Sequence, residues 1–323
     1  MSFIEVKDLK VHYPIRGGFF NKVIDHVYAV DGVSLTIEEG KTYGLVGESG
    51  SGKSTIGKAI IGLEKIKSGK IIYEGKEIDG KFRNRRSEYN RNVQMIFQDS
   101  LSSLNPKKRV IDLISEPLRN FENLTSDEEK RKVSELLEIV GMNREDIYKY
   151  PHEFSGGQRQ RLGIARAVAT KPKLIIADEP VSALDLSVQA QVLNYMKDIQ
   201  EQFGLSYLFI SHDLGVVKHM CDYMFIMYHG RFVETGEKND IYKNPEHFYT
   251  KRLIAAIPEI HPEKRTENKR RRLEIEREYL ANEKKYYDEN GRVFDLKKLT
   301  DTHFVAFKDK NLRNNGNSEK GGK

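Results

Sequence analysis

The feature that most restricts the fold is a glycine-rich run between an apolar stretch and a helical pattern. Thr42-Tyr43-Gly44-Leu45-Val46 has the composition of a strand, and the pattern predicts a helix over about 54–63. The run between and into them fits the phosphate-loop pattern at every defined position and consists of Gly47, Glu48, Ser49, Gly50, Ser51, Gly52, Lys53, Ser54 and Thr55. This order of strand, loop and helix indicates an α/β domain.

The loop predicts a site for nucleotide phosphates. Its glycines let the backbone wrap closely, so that N–H groups point inward at β- and γ-phosphates, and the helix that follows adds its positive dipole end. Lys53 would supply a full positive charge, and the Ser54 hydroxyl would be a Mg²⁺ ligand. The alternative is a glycine-rich turn between strand and helix that holds no ligand.

A second apolar stretch ends in two carboxylates. Residues 174–177 read Leu-Ile-Ile-Ala and are followed by Asp178 and Glu179. Such a strand is expected inside a parallel sheet, with its carboxyl end at the ligand crevice. Asp178 would join the Mg²⁺ shell, and Glu179, expected on the opposite side of the pleat, would polarise the attacking water. An acidic strand end is common on surfaces, so the pairing with the phosphate loop carries the prediction of ATP hydrolysis.

The remaining patterns divide the chain. Residues 1–46 alternate like strands, with an exposed loop predicted at 14–26, and a hairpin is expected around 70–75. Helical periods follow at 110–118, 126–140 and 156–170, with a capping box predicted from Ser126 and Glu129. Strands and helices alternate again from 173, and a last hairpin turns at His229-Gly230. We therefore predict an α/β domain over 1–260, with a helical block inserted at about 92–170.

The C-terminal part is more charged. We predict an extension over 261–308, with a helix at 263–287, and a disordered tail at 309–323. Most of the net charge of +6 lies after residue 260. A basic tail can bind nucleic acid or anionic lipid. Because its charges alternate in sign, we favour a solvated helix with internal ion pairs over a nucleic-acid arm.

Composition excludes several classes of site. A single cysteine, Cys221, leaves no internal disulfide framework and no multi-cysteine zinc or iron–sulfur site. No apolar run approaches the 18 or more residues that span a bilayer, and the N-terminus has no pattern of a secretory signal. We therefore expect a cytosolic protein that, if it works at a membrane, depends on other chains for the span.

A third segment, Phe154-Ser155-Gly156-Gly157-Gln158, opens a helix. Ser155 is a candidate N-cap, and two glycines beside it expose backbone N–H groups at a dipole end. The segment alone supports an anion site and an ordinary helix cap equally.

Taken together, these segments resemble the ATP-binding-cassette (ABC) ATPases. Ser155 to Gln158 upstream of Asp178-Glu179 is similar to the family signature, with Phe154 where Leu is usual. Three other elements also occur in the family's order along the chain: Gln98, the turn Ser182-Ala183-Leu184-Asp185, and His212. The resemblance covers about residues 3–260. It implies a P-loop NTPase with a RecA-like α/β core, an N-terminal antiparallel β-subdomain, an inserted helical subdomain and a C-terminal extension.

The resemblance also implies roles for residues. Two cassettes would pair head to tail with two ATP molecules between them, so that Ser155 and Gly157 of one chain, with Gly156 and Gln158 beside them, cap the γ-phosphate held by the other. Asp185 would lie at the same nucleotide. Gln98 would sense Mg²⁺ and water, and His212 would hold the γ-phosphate and position Glu179. Tyr13 matches the aromatic side chain that stacks on adenine, with core packing as the alternative.

Further segments resemble the ATPase subunits of oligopeptide and dipeptide importers, and among their two paralogous ATPases the "F" subunit. They are 28–34, 98–106, 150–155, 207–213, 249–258 and 303–306. The resemblance implies a second ABC ATPase subunit, two membrane-spanning permease subunits and, indirectly, an extracellular substrate-binding protein. It places the chain at the cytoplasmic face of the membrane, without nucleic acid. Some relatives carry a cysteine-ligated cluster in the extension, which one cysteine cannot hold.

Other functions share these nucleotide motifs. A non-transport ABC ATPase of DNA repair or translation would need a coiled-coil insertion, a zinc hook or two cassettes in one chain. A non-hydrolysing sensor conflicts with Glu179 and His212, and an exporter stays open because the cassette does not encode direction. Nickel and glutathione are alternative cargoes, and the choice between homodimer and heterodimer is also left open.

Overall fold

The computed structural model describes residues 2–18, 20–78, 87–99, 103–257 and 265–308. Within these ranges the strands form one sheet of eight and one of four. The strands are β1 (Ser2–Gly17), β2 (Lys22–Glu38), β3 (Thr42–Val46), β4 (Ser68–Tyr73), β5 (Lys76–Glu77), β6 (Val93–Ile96), β7 (Leu174–Asp178), β8 (Ser206–Ser211), β9 (Tyr223–Tyr228), β10 (Arg231–Glu237), β11 (Leu296–Lys298) and β12 (Phe304–Ala306).

The larger sheet places the phosphate loop beside the acidic strand end. Its order is β11-β12-β10-β9-β3-β8-β7-β6. Strand β3 pairs in parallel with β8 and β9, and β7 pairs in parallel with β8 and β6. Because carboxyl ends of parallel strands meet at one edge, the residues after Val46 lie near Asp178. The parallel α/β core expected from the sequence is confirmed.

Both faces of this sheet are covered, which explains its apolar strands. Strands β3, β7 and β8 are buried along their whole length. Alternate side chains enter two separate hydrophobic clusters, with Ile175 and Phe209 in one and Ile176 and Leu208 in the other. Such two-sided burial removes the polar alternation of a half-exposed strand and leaves a continuous apolar run.

The smaller sheet is antiparallel, in the order β2-β1-β4-β5, and packs its apolar residues into one of these clusters. The loop predicted at 14–26 is wrong. Strands β1 and β2 continue as one hairpin to the pair Gly17 and Lys22. Its end is exposed, with Ile24 68% accessible. A backbone ladder needs no apolar face, so an exposed hairpin lacks the alternation that would have predicted it.

The helices are α1 (Lys53–Ile60), α2 (Glu88–Asn92), α3 (Val110–Phe121), α4 (Ser126–Ile139), α5 (Gly156–Val168), α6 (Leu186–Phe203), α7 (Leu214–Met220), α8 (Lys238–Lys243), α9 (Phe248–Ala255) and α10 (Arg265–Asn282). Short 3₁₀ turns cover Arg144–Tyr148, Pro151–Glu153 and Glu283–Lys285. Helices α3, α4 and α5 lie between β6 and β7 in the chain, so the inserted helical block is confirmed.

The capping box of α4 lies one residue earlier than predicted. Thr125, not Ser126, is the N-cap, and its hydroxyl accepts the Glu128 N–H while the Glu128 carboxylate accepts the Thr125 N–H. Thr and Ser stand side by side with Glu at both matching positions, so the pattern fits either register. The predicted hairpins at 70–75 and at His229-Gly230 are confirmed.

The C-terminal part continues the larger sheet. Strand β12 pairs with β10, and β11 pairs with β12. Helix α10 is shorter than predicted within the described residues. From residue 269 to 278 its charged side chains are exposed except for the half-buried Glu276, and Arg270 pairs with Glu274 at 3.0 Å. None of the described helices has the length and apolar character of a membrane span. The tail predicted to be disordered at 309–323 lies outside the described residues.

Candidate nucleotide-binding site

The phosphate loop packs so tightly that glycine is required at two positions. A Cβ on Gly47 would lie 2.2 Å from the Met227 carbonyl oxygen. A Cβ on Gly52 would lie 2.0 Å from the Ala29 carbonyl oxygen, and the φ of Gly52 is 107°. The backbones of β2 and β9 therefore pack directly against the loop at Gly52 and Gly47. Glu48, Ser49 and Gly50 are exposed.

Lys53 is held inside the loop. Its Nζ donates to the carbonyl oxygens of Gly47 at 2.8 Å and Glu48 at 2.7 Å, and lies 3.4 Å from the Ser51 hydroxyl. The side chain is buried, and this burial lowers the pKa of its ammonium, against the opposing charges of Glu179 and others. The geometry presents one cation at the centre of a curved backbone.

Ser54 and Asp178 form an oxygen pair beside Lys53. The Ser54 hydroxyl donates to Asp178 Oδ1 at 2.8 Å. Asp178 is buried, and this burial raises the pKa of its carboxyl, while the Ser54 hydrogen bond acts in the opposite direction. Hydroxyl and carboxylate oxygens are hard ligands, and Mg²⁺ takes one or two protein carboxylates together with substrate phosphates. The residues present therefore fit a Mg²⁺ bound with a nucleotide.

Glu179 is held by two of the predicted site residues, Gln98 and His212. Its Oε2 accepts from Gln98 Nε2 at 2.8 Å, and its Oε1 lies 3.0 Å from His212 Nδ1. Its N–H donates to the Ile210 carbonyl at 2.9 Å, which extends the pairing of β7 and β8 by one residue. A carboxylate fixed in this way can accept a proton from a water molecule.

One expected detail of Glu179 is wrong. Glu179 does not continue the pleat of β7, since that strand ends at Asp178 and Glu179 has a φ of 45°. The left-handed backbone, rather than strand alternation, turns its side chain toward Gln98 and His212.

The signature segment lies at the start of α5. The Ser155 hydroxyl accepts the Gln158 N–H, and the Gln158 side chain accepts the Ser155 N–H, so the ordinary cap is present. Ser155 and Gly156 are exposed, while a Cβ on Gly157 would lie 2.5 Å from a Val188 methyl carbon. The described hydrogen bonds of this segment are local, and they do not join it to Lys53 of the same chain. Its phosphate role stays a prediction.

Two further predicted residues lie on neighbouring elements. Tyr13 is 37% exposed on β1 and is therefore not in the core. Partial burial and a hydrogen bond with Glu64 raise the pKa of its phenol, while a hydrogen bond with Thr55 acts in the opposite direction. Tyr13 on β1 therefore lies next to Thr55, near the start of α1, the helix that follows the phosphate loop. Asp185 is the N-cap of α6 and is exposed.

The sequence missed one residue that touches the loop. The Glu48 N–H donates to the hydroxyl of Tyr249, on α9, at 2.9 Å. The two residues are 201 positions apart. Tyr249 lies in the segment 249–258 that resembles the importer ATPases, but no local pattern signals a contact of this range.

Comparisons with known proteins show which family the chain is similar to. The model of the family "ABC transporter" matches residues 30–182, and that of the "Oligopeptide/dipeptide transporter, C-terminal region" matches 233–289. The chain is 57% identical over 305 residues to the oligopeptide transport ATP-binding protein OppF of Lactococcus lactis subsp. lactis (strain IL1403), covering 94% of this chain and 96% of that relative. It is 45% identical over 307 residues to OppF of Bacillus subtilis (strain 168), covering 94% and 95%.

A solved structure shares the fold. It is the dimeric post-hydrolysis state of the ATP-binding cassette MJ0796 bound to ADP and Pi, with a TM-score of 0.63 and 25% identity, covering 73% of this chain and 98% of that one. The family expected from the sequence is confirmed. This chain belongs to the ATP-binding proteins of the ABC transporter family, in the branch that carries the oligopeptide/dipeptide transporter C-terminal region.

Proposed function

We propose that this chain is the ATP-binding and ATP-hydrolysing subunit that powers import of oligopeptides or dipeptides. The observation that carries the hydrolytic part is the Glu179 carboxylate, fixed at 2.8 Å by Gln98 and at 3.0 Å by His212. The peptide cargo is supported by the C-terminal region at 233–289 and by relatives whose names specify oligopeptide transport.

The chain's own residues divide the chemistry between them. Lys53 and the loop N–H groups would bind the β- and γ-phosphates, and Tyr13 would stack on the base. Ser54 and Asp178, with Gln98 nearby, would hold Mg²⁺, which when bound neutralises charge that develops on the phosphate oxygens. Glu179 would polarise the attacking water, and His212 would keep its carboxylate oriented and contact the γ-phosphate.

We further propose that the working unit is a dimer of cassettes. Ser155 and Gly156 are exposed at a helix N-terminus, where backbone N–H groups favour an anion, and the Lys53 site lies elsewhere on the chain. In a head-to-tail pair, Ser155, Gly157 and Asp185 would approach the nucleotide of the partner cassette. ATP binding would then close the pair, and hydrolysis would reopen it.

Coupling to permease subunits is supported by a cleft near Gln98. A cleft of about 250 Å³ lies between the larger sheet and the helical block, lined by residues that include Leu63, Phe97, Leu104 and Arg166. Phe97 is 36% exposed there and directly precedes Gln98. We propose that a helix of a membrane-spanning permease enters this cleft and that the chain works at the cytoplasmic face of the membrane. No nucleic-acid partner is required.

The substitution Glu179→Gln tests the hydrolytic assignment. We expect ATP binding to be retained and turnover to fall by about 10²-fold or more, because the amide cannot accept a proton from water. Glu201→Gln is the control, since Glu201 is exposed on α6 and lies about 22 Å along the helix axis from Leu186. Turnover of Glu179→Gln equal to that of the control would refute the role of Glu179.

Co-purification tests the transport assignment separately. We expect the chain to purify with membrane-spanning permease subunits. After reconstitution of this complex and a substrate-binding protein in proteoliposomes, we expect ATP-dependent uptake of a labelled peptide. Purification with nucleic acid instead of membrane subunits would contradict it.

A further inference from the structure

A single peptide unit at the start of the phosphate loop is held from both sides. The Gly47 carbonyl accepts from Lys53 Nζ at 2.8 Å, and the N–H of Glu48 donates to the Tyr249 hydroxyl at 2.9 Å. These two groups belong to the same trans peptide plane, in which C=O and N–H point in opposite directions. The plane cannot rotate without breaking one of the two contacts.

The contacts of Lys53 with these carbonyls limit how many of its donors are available to a ligand. An ammonium has three N–H donors. Two of them can be donated to the carbonyls of Gly47 and Glu48, and the Nζ atom lies 3.4 Å from the Ser51 hydroxyl oxygen, which is too long for a strong bond. Because the fixed carbonyls take up two donors, one donor of Lys53 stays available for a phosphate oxygen.

Tyr249 is a rigid support. It is 1% exposed, its own N–H donates to His247 Nδ1 at 3.1 Å, and its ring centroid lies 4.6 Å from that of Tyr228. Burial raises the pKa of its phenol, so the hydroxyl stays neutral at physiological pH. A neutral, tightly packed hydroxyl suits the acceptance of a backbone N–H.

The C-terminal extension completes this support. Tyr287 packs against Tyr228 with centroids 5.5 Å apart, and Tyr279 of α10 stacks on Phe248 at 4.7 Å. Arg252 lies over the Tyr279 ring at 5.1 Å. Packing therefore runs from α10 and the segment after it to the residues that flank Tyr249.

We infer that Tyr249 is a positioning residue for ATP binding, which acts by fixing the Gly47–Glu48 peptide and through it Lys53. The inference rests on the proposed function of the phosphate loop. Gly47 cannot be fixed by a side chain of its own, because a Cβ there would meet the Met227 carbonyl at 2.2 Å. A hydrogen bond from another element is therefore the means of holding this peptide, and the C-terminal region supplies it.

The test compares two substitutions that each delete one buried hydroxyl. Tyr249→Phe removes the contact with Glu48. Tyr207→Phe is the matched control, since the Tyr207 hydroxyl donates to the Met196 carbonyl at 3.0 Å and is fully buried at the opposite end of the parallel strands. Calorimetric titration with ATP and steady-state ATPase kinetics are measured on the full chain, with thermal melting as the folding control.

We expect both variants to melt somewhat lower, and only Tyr249→Phe to bind ATP more weakly. The expected rise in Kd and KM is about tenfold, which corresponds to about 1.4 kcal/mol, with kcat changed by less than about twofold because the contacts of Glu179 remain. Equal ATP affinity in the two variants would overturn the inference, as would a loss confined to kcat. If wild-type protein itself fails to bind ATP, the proposed function fails first, and the comparison separates the two cases.

Discussion

The buried ion pair between His303 and Glu234 gives a prediction whose size can be worked out. His303 precedes β12, and its Nε2 lies 2.7 Å from Oε1 of Glu234 on β10. The exposed fractions of their side chains are 3% and 0%. The Glu234 carboxylate also accepts the N–H groups of Glu246 at 2.8 Å and His247 at 3.0 Å.

Removal of His303 would leave a buried carboxylate without its cation. Removing one partner of a buried pair costs about 3 to 5 kcal/mol of unfolding free energy. Since two backbone N–H groups continue to hold Glu234, we expect His303→Ala to cost about 3 kcal/mol at pH 6, the lower end of that range. His303→Gln keeps a neutral donor and should recover part of this loss.

The loss should depend on pH in a defined direction. The hydrogen bond with Glu234 raises the pKa of His303 against the opposing effect of burial, and the charges of Asp240 and Glu246 add to the rise. A group whose pKa is higher in the folded state contributes most below its unfolded pKa of about 6.5. That contribution is lost as the pH rises through the folded pKa, so the difference between wild type and His303→Ala should shrink from pH 6 to pH 9.

Urea unfolding at both pH values measures these differences. His219→Gln is the control, because His219 is exposed on α7 and its ring lies 3.1 Å from Lys197 Nζ rather than near a buried carboxylate. A His303→Ala loss that is equal at pH 6 and pH 9, or absent at pH 6, would refute the assignment of a charged buried pair.

Two further predictions concern the phosphate loop and the metal. Gly52→Ala should lower the melting temperature of the nucleotide-free protein more than Gly50→Ala, because both glycines have positive φ but only the Gly52 Cβ would collide, at 2.0 Å from the Ala29 carbonyl; equal melting would contradict the steric argument. Asp178→Asn should raise the Mg²⁺ concentration for half-maximal ATPase activity by about tenfold or more, since a carboxylate ligand is lost; an unchanged Mg²⁺ titration would remove Asp178 from the metal site.

Local sequence patterns predicted two parts of the candidate site, namely the phosphate loop and the strand that ends in Asp178. The phosphate loop needs glycine where the backbone turns left-handed and packs closely, so its sequence records its shape at Gly47 and Gly52. The strand that ends in Asp178 is buried on both faces, so it appears in the sequence as a continuous apolar run. Both features depend only on neighbouring residues or on burial, and sequence patterns can predict features of these kinds.

Sequence patterns did not predict contacts between segments that lie far apart in the chain. Tyr249 meets Glu48 across 201 positions, and His303 meets Glu234 across 69. Each is a polar side chain whose role depends on which elements the fold brings together. The hairpin beyond Pro14 was missed for a different reason, since its backbone pairs without burying an apolar face.

Glu179 shows how a candidate residue can be singled out from the sequence while its backbone geometry is predicted wrongly. A left-handed backbone costs a non-glycine residue about 1 to 2 kcal/mol, and Glu179 accepts that cost at a φ of 45°. The surrounding contacts offset it, since the Glu179 N–H bonds to Ile210 and its carbonyl accepts from the Ser182 hydroxyl at 3.1 Å. In an ordinary pleat, Glu179 would point away from Asp178 and into the opposite layer. The backbone strain therefore lets two adjacent acidic side chains take up separate positions at the proposed nucleotide site, one beside Ser54 and the other between Gln98 and His212.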